Sequence, residues 1–184
     1  RDPVPIKIIP DNLKKALIVT EDRSFYQHSG IDLKGILRAI LRDIKAGKFV
    51  EGASTITQQL SKTLFLKPRK TLLRKAKEAF ISFQIERRYT KDEILELYLN
   101  QVYFGSGAYG VESAARLFFG KSVSDLDLNE CALLAGLPKS PSRYSPLINK
   151  DLAFKRRNVV LKQMKDTGVI TQAVFNIAKE APLN

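Results

Sequence analysis

Apolar residues recur at helical spacing through most of this chain, and that periodicity limits the fold more than any other feature. Leu33, Ile36, Leu37, Ile40, Leu41 and Ile44 follow i, i+3, i+4, i+7, i+8 and i+11, the stripe of an amphipathic helix. Thr90 with Glu93 opens KDEILELYLN as a capping box, and Thr55 with Gln58 opens ITQQLSKTLFL in the same way. GVESAARLFF, LNECALLAGL and AFKRRNVVLKQMKD are helical in composition. Strand-like alternation is scarce, and PIKII near the start is the best candidate. LPKSPSRYSP, residues 137–146, reads as an ordered loop flanked by apolar residues, not as a linker. One mainly α domain over residues 1–184 is expected, and that length is enough for a single core.

Charge narrows the class of partner. Lys plus Arg number 31 and Asp plus Glu 19, for a formal charge of +12. Such an excess points to an anionic partner: nucleic acid, a phosphorylated substrate or an anionic membrane surface. From Lys62 to Lys91 ten basic residues face only two acids, Glu78 and Glu86, which localises the excess. No apolar run reaches the length of a transmembrane helix, and no signal peptide is present. A first residue of Arg, not Met, leads us to expect a cut or processed chain whose membrane anchor lies outside it. Cys131, the sole cysteine, sits in the apolar run CALLAG and reads as packing. One His and one Cys cannot make a zinc site, and no G-x-S-x-G supports a serine triad.

Several stretches carry both a plain and a chemical reading. TEDRSFYQHSG, residues 20–30, sets Glu21 and Asp22 beside Phe25, Tyr26 and the only histidine, His28. Acids directly after an apolar run need something to offset their desolvation. Residues 31–50 join an apolar stripe to five cations, as either a core helix or a membrane-surface helix does. GASTITQQL, residues 52–60, puts Gly52, Ser54 and Thr55 at a helix start, either a simple cap or a phosphate seat, with Gln58, Gln59 and Lys62 beside it. In RKAKEAFISFQIERR, Leu72, Ala76, Phe80 and Phe83 form one apolar face, and Ile81 and Ile85 lie opposite, so this helix is expected to be buried. Glu78 follows Arg74 and Lys75 at helical spacing, as a structural ion pair or as part of a pyrophosphate site. GSGAYG fits G-x-G-x-x-G, but a helix precedes it where the dinucleotide fingerprint needs a strand. It is expected to be a turn before the next helix.

EDRSFYQHSGID, EGASTITQQLSK, RKAKEAFISFQIE, KDEILELYLNQVYFGSGAYGVESAA and LLAGLPKSPSRYSP occur in that order. Together they resemble the five motifs of the peptidoglycan glycosyltransferases, the transglycosylase domains of class A penicillin-binding proteins and their monofunctional relatives. The match runs from about Glu21 to Pro146, and five ordered motifs are far more specific than any one. No S-x-x-K or K-T-G motif is present, so the penicillin-binding half is absent from the sequence.

The resemblance implies a mainly α, lysozyme-like fold, with a large lobe and a smaller membrane-facing jaw that includes residues 31–50. It implies an inverting enzyme that polymerises lipid II into β-1,4 glycan and releases undecaprenyl pyrophosphate. In this reading Glu21 is the catalytic base, and Glu78 aids the leaving group, directly or through a divalent cation such as Mg or Mn. No cofactor is required by the motifs themselves. Asp22, Ser54, Thr55, Gln58, Gln59, Lys62, Lys70, Arg74, Lys75 and Asn100 match or adjoin substrate-binding positions, and Phe25, His28 and Gly52 shape the site. The family often has Arg where this chain has Lys70, which keeps the charge but loses bidentate geometry. The implied partners are lipid II, the lipid-linked glycan, the outer face of the bacterial cytoplasmic membrane and a C-terminal transpeptidase domain, with no nucleic acid. The other readings are a basic membrane- or nucleic-acid-binding module and a lysozyme-like hydrolase. The first leaves Glu21 and Glu78 without a role, and the second leaves the cations without a phosphate.

Overall fold

Helices dominate the computed structural model, which describes residues 2–46, 54–65 and 71–183. In chain order they are α1 (Asp11–Glu21), α2 (Leu33–Ala46), α3 (Ile56–Phe65), α4 (Leu72–Arg88), α5 (Lys91–Gln101), α6 (Val111–Phe119), α7 (Leu128–Gly136), α8 (Pro141–Tyr144), α9 (Lys150–Asp166) and α10 (Gln172–Glu180). Between α5 and α6 lies one antiparallel hairpin of β1 (Tyr103–Gly105) and β2 (Ala108–Tyr109). The chain separates into two compact units, residues 21–98 and residues 1–20 with 99–184.

In the unit of residues 21–98, α3 packs against α4. Thr55 caps α3: its hydroxyl accepts the Gln58 N–H at 3.1 Å, and the Gln58 side chain accepts the Thr55 N–H at 3.0 Å. Thr90 and Glu93 close the second expected box at the start of α5. Small hydroxyls sit at the contact of α3 with α4. Ser82 Oγ donates to the Glu78 carbonyl at 2.6 Å and lies 3.2 Å from Ser61 Oγ, and both serines are fully buried. The expectation of a buried α4 is corrected here. Its inner face is Glu78, Ser82 and Ile85, while Leu72, Leu73, Phe80 and Phe83 are exposed. Two apolar faces did not mean two buried faces: α4 meets α3 through Ser82 and Ser61, and its phenylalanines turn outward.

In the other unit, α7 packs on α9, and α9 carries α8 and α10. Asp127 and Glu130 form a capping box for α7, whose residues Cys131–Gly136 are all buried. Arg157 is fully buried, and among the described residues no salt bridge reaches it. It donates to the carbonyls of Lys179 and Pro182 at the C-terminal end of α10, at 3.2 and 3.3 Å, where helix carbonyls lack partners. Burial pulls its guanidinium below its ordinary pKa, against the attraction of Asp127.

Two local expectations change. PIKII forms hydrogen-bonded turns, with Ile8 N donating to the Pro5 carbonyl, because prolines at positions 3, 5 and 10 deny a ladder its donors. GSGAYG holds the turn expected before the next helix, at Ser106 and Gly107 with positive φ, inside a short hairpin. Residues 137–144 are helical turns, not loop: a 3-10 turn at Leu137–Lys139 and α8, each with proline in its first turn.

Candidate functional site

Glu21 and Asp22 are adjacent in sequence and diverge in role. Asp22 is 7% exposed. Its Oδ2 accepts the backbone N–H of Ile56 at 2.9 Å, which fixes the N-terminus of α3 across 34 residues of sequence. The same carboxylate accepts from His28 Nε2 at 2.9–3.0 Å. Gly30 N–H donates to His28 Nδ1 at 3.1 Å, so Nδ1 carries no proton and Nε2 is the donor. The Gly30 carbonyl then accepts the Thr55 hydroxyl at 2.6 Å. Gly30 has φ +96°, and a Cβ there would lie 3.1 Å from the Ser82 backbone, so the loop closes onto α4 only with glycine. The acids after the apolar run are thus partly an internal clamp, with Asp22 desolvated but supplied with donors.

Phe25 is fully buried and meets Tyr26 and His28 edge to face. Lys91 Nζ lies 4.6 Å from its ring centroid, donates to the His28 carbonyl at 2.7 Å and pairs with Glu86 at 2.7 Å. Glu86 also accepts from Thr57 at 2.6 Å. Sequence reasoning missed Glu86 and Lys91 as site supports, though both stand in quoted motifs, because their partners are distant in sequence. Asp32, also missed, accepts from Ser24 Oγ and caps α2 by accepting the Gly35 N–H at 2.7 Å. Burial works against its ionisation. The bonds from Ser24 and Gly35 and the charge of Arg38 outweigh that and hold its carboxyl below the usual value.

Glu21, at the end of α1, is half-buried. Its Oε2 accepts from Gln59 Nε2 at 3.0 Å, and among the described residues no other hydrogen bond reaches its carboxylate. Gln59 Oε1 accepts in turn from the buried Tyr98 hydroxyl at 2.9 Å. Tyr98 was not expected in the site; its place in YLN was the available signal.

Glu78 forms a second, more enclosed centre. Its side chain is 3% exposed and pairs with Lys75, whose Nζ also donates to Ser54 Oγ at 2.9 Å. The starts of α3 and α4 are thereby joined through one cation. Arg74 Nε is buried with no hydrogen-bond partner among the described residues. Lys62 is exposed near the end of α3, and Gln58 is buried within the Thr55 cap. Gly52 and Lys70 lie outside the described residues. In the other unit, Asn100 commits its side-chain amide to both backbone groups of Val4, at 2.8 and 2.9 Å. Among the described residues no group of three His, Cys, Asp or Glu could hold a metal ion.

Set beside known proteins, residues 1–165 match the family model described as Transglycosylase. Penicillin-binding protein 1A of Escherichia coli is 52% identical over 184 residues, covering 100% of this chain and 22% of that protein. Penicillin-binding protein 1F of Bacillus subtilis is 50% identical over 181 residues, covering 98% of this chain and 24% of that protein. A crystal structure of penicillin-binding protein 1A from Haemophilus influenzae aligns with a TM-score of 0.62 at 28% identity, over 100% of this chain and 18% of that one. The chain belongs to the transglycosylase family. Its mainly α architecture is the lysozyme-like one that the motifs implied. It spans about a quarter or less of the length of the curated relatives it matches.

Proposed function

We propose that this domain polymerises lipid II with inversion at the anomeric carbon and release of undecaprenyl pyrophosphate. The observation that carries the reading is a pair of carboxylates in contrasting surroundings: Glu21, bonded through one oxygen among the described residues, and Glu78 enclosed against a lysine. Inverting displacement needs that division between a base and assistance for the leaving group. Glu21 Oε1 takes the proton from the 4-hydroxyl of the acceptor GlcNAc as that oxygen bonds to C1 of the donor. The bond from C1 to the pyrophosphate oxygen breaks, and its electron pair leaves with the pyrophosphate. Lys75, oriented by Glu78 and Ser54, places positive charge for that oxygen, and Arg74 offers a buried N–H donor that lacks an acceptor. A divalent cation held by Glu78 would supply further charge to the same phosphates.

Membrane association of the same unit is the companion proposal. Leu33, Leu37 and Leu41 are exposed at i, i+4 and i+8 of α2, and Leu72 is 91% exposed on α4. Cations flank them, the composition of a surface that enters a lipid interface. Among the described residues no helix is long and apolar enough to cross a membrane. The whole protein is proposed to act at the outer face of the cytoplasmic membrane, with an anchor and a transpeptidase domain beyond this chain.

The test is incubation with labelled lipid II in detergent, with and without EDTA, followed by gel separation and lysozyme digestion. A lysozyme-sensitive ladder is expected, absent in Glu21→Gln. Polymerisation retained by Glu21→Gln overturns the assignment of the base. Loss of the ladder in EDTA, restored by Mg, adds the cation at Glu78.

A further inference from the structure

Glu21, Gln59 and Tyr98 form a hydrogen-bonded row across α1, α3 and α5. Gln59 Nε2 donates to Glu21 Oε2 at 3.0 Å, and Tyr98 donates through its hydroxyl to Gln59 Oε1 at 2.9 Å. Tyr98 is 2% exposed. Burial, and then the charges of Glu21 and Asp22, hold its phenol well above its ordinary pKa, so it keeps its proton and serves as a donor.

The direction of the row is fixed from both ends. Turning the Gln59 amide over would set its carbonyl against the Glu21 carboxylate, two acceptors with no proton between them. It would also face the amide N–H groups toward the phenol, whose own buried O–H would then lack an acceptor. Both neighbours therefore demand one amide orientation. That orientation commits Oε2 of Glu21 to the protein and leaves Oε1 for another donor.

We propose that Tyr98 is a positioning residue for the base: acting through Gln59, it fixes the plane of the Glu21 carboxylate and presents Oε1 to the acceptor hydroxyl. The proposal rests on the reading of Glu21 as base. It also gives Gln59 a task other than binding substrate, since both ends of its amide are engaged inside the protein. A phenylalanine at position 98 would fill the ring's volume and leave the amide held from the Glu21 side alone. The base would remain present, but with its productive orientation sampled only part of the time.

The test compares wild type, Tyr98→Phe, Gln59→Met and the double variant in steady-state polymerisation of lipid II, with thermal melts as a fold control. Tyr98→Phe is expected to lower kcat about tenfold, well short of the ~10²–10⁴-fold a positioned general base contributes. KM is expected to stay within about twofold, because the substrate-binding cations are untouched. In the Gln59→Met background the same change is expected to cost less than about twofold, since its route to Glu21 is already cut. A kcat within twofold of wild type overturns the proposal, as does a loss carried by KM, or an equal loss with and without Gln59. Glu21→Gln in the same assay separates the two readings. Turnover retained there removes the base assignment itself. Turnover abolished there but unaffected in Tyr98→Phe removes only the relay.

Discussion

Replacing Asp22 with asparagine keeps shape and volume but exchanges a charged acceptor for a neutral one and sets an NH2 group where the carboxylate had an oxygen. In the native arrangement the carboxylate accepts from Ile56 N–H and from His28 Nε2–H, while His28 Nδ1 accepts from Gly30 N–H. Asparagine brings one acceptor and an NH2 group. With its oxygen in the place of Oδ2 it keeps one acceptor 2.9 Å from both Ile56 N and His28 Nε2, and its NH2 takes the place of Oδ1, 3.0 Å from Nε2. Turned over, its NH2 meets Ile56 N–H, so the first arrangement is the favoured one. It exchanges a charged acceptor for a neutral one and crowds one amide NH2 against the Nε2 donor. Losing the charge assistance costs about 1 kcal/mol and the crowded donor about 1 kcal/mol more, so the variant should lose about 2 kcal/mol. Urea unfolding followed by circular dichroism measures this as a lower midpoint at unchanged slope. A loss below about 0.5 kcal/mol, accompanied by weaker binding of a pyrophosphate lipid, would refute the clamp and put Asp22 on the substrate.

Gly30→Ala should cost about 2–3 kcal/mol, because φ +96° is combined with a Cβ 3.1 Å from the Ser82 backbone; Gly107→Ala, at φ +87° with nothing within 4 Å, should cost less, and equal melting temperatures would refute the close approach. Asp32→Ala should destabilise α2 by about 1 kcal/mol at pH 7. The folded carboxyl lies below its ordinary value, so its stabilisation is present above the unfolded value of about 3.9 and lost as pH falls through the lower folded one; the gap between variant and wild type should close below about pH 4 in melts across pH. Burial, then the charges of Asp127 and Glu130, push the Cys131 thiol up to about 12. It should resist a maleimide at pH 7.5 until urea is added, and rapid labelling of native protein would contradict its burial.

What was legible in the sequence was local. The boxes at Thr55 and Thr90 rest on residues three apart, and the structure closes both. The leucines of α2 announced a helix, but periodicity gives the direction of a stripe and not the medium it meets. The boundary errors came from proline. PIKII alternates like a strand, yet its flanking prolines leave only turns, and the prolines of residues 137–146 start short helices instead of extending a loop. The supports of the site escaped for a different reason. Glu86 reaches Thr57 across 29 residues and Lys91 reaches His28 across 63, and no local pattern announces such partners. Tyr98 was hidden by its company, since an aromatic among Leu95, Leu97 and Leu99 reads as core until its hydroxyl is given an acceptor.

The polarity of α4 is the physical feature that ties the two proposals together. An ordinary surface helix buries its leucines and phenylalanines, each worth about 1.5–3 kcal/mol out of water, and turns its acids outward. This one buries Glu78 and exposes Leu72, Leu73, Phe80 and Phe83. In water that arrangement forgoes several such contributions and desolvates a carboxylate as well. It becomes favourable only if the outer face meets an apolar medium and the inner carboxylate meets cations. Lys75 already meets the second condition from within the protein, and a lipid interface would meet the first. A substrate with a long hydrocarbon tail and a pyrophosphate head asks for the same pairing, apolar contact on one side and positive charge on the other. Under the proposed function, the exposed leucines and the enclosed Glu78 are two consequences of one requirement: a helix that lies where the hydrocarbon ends and the phosphate begins.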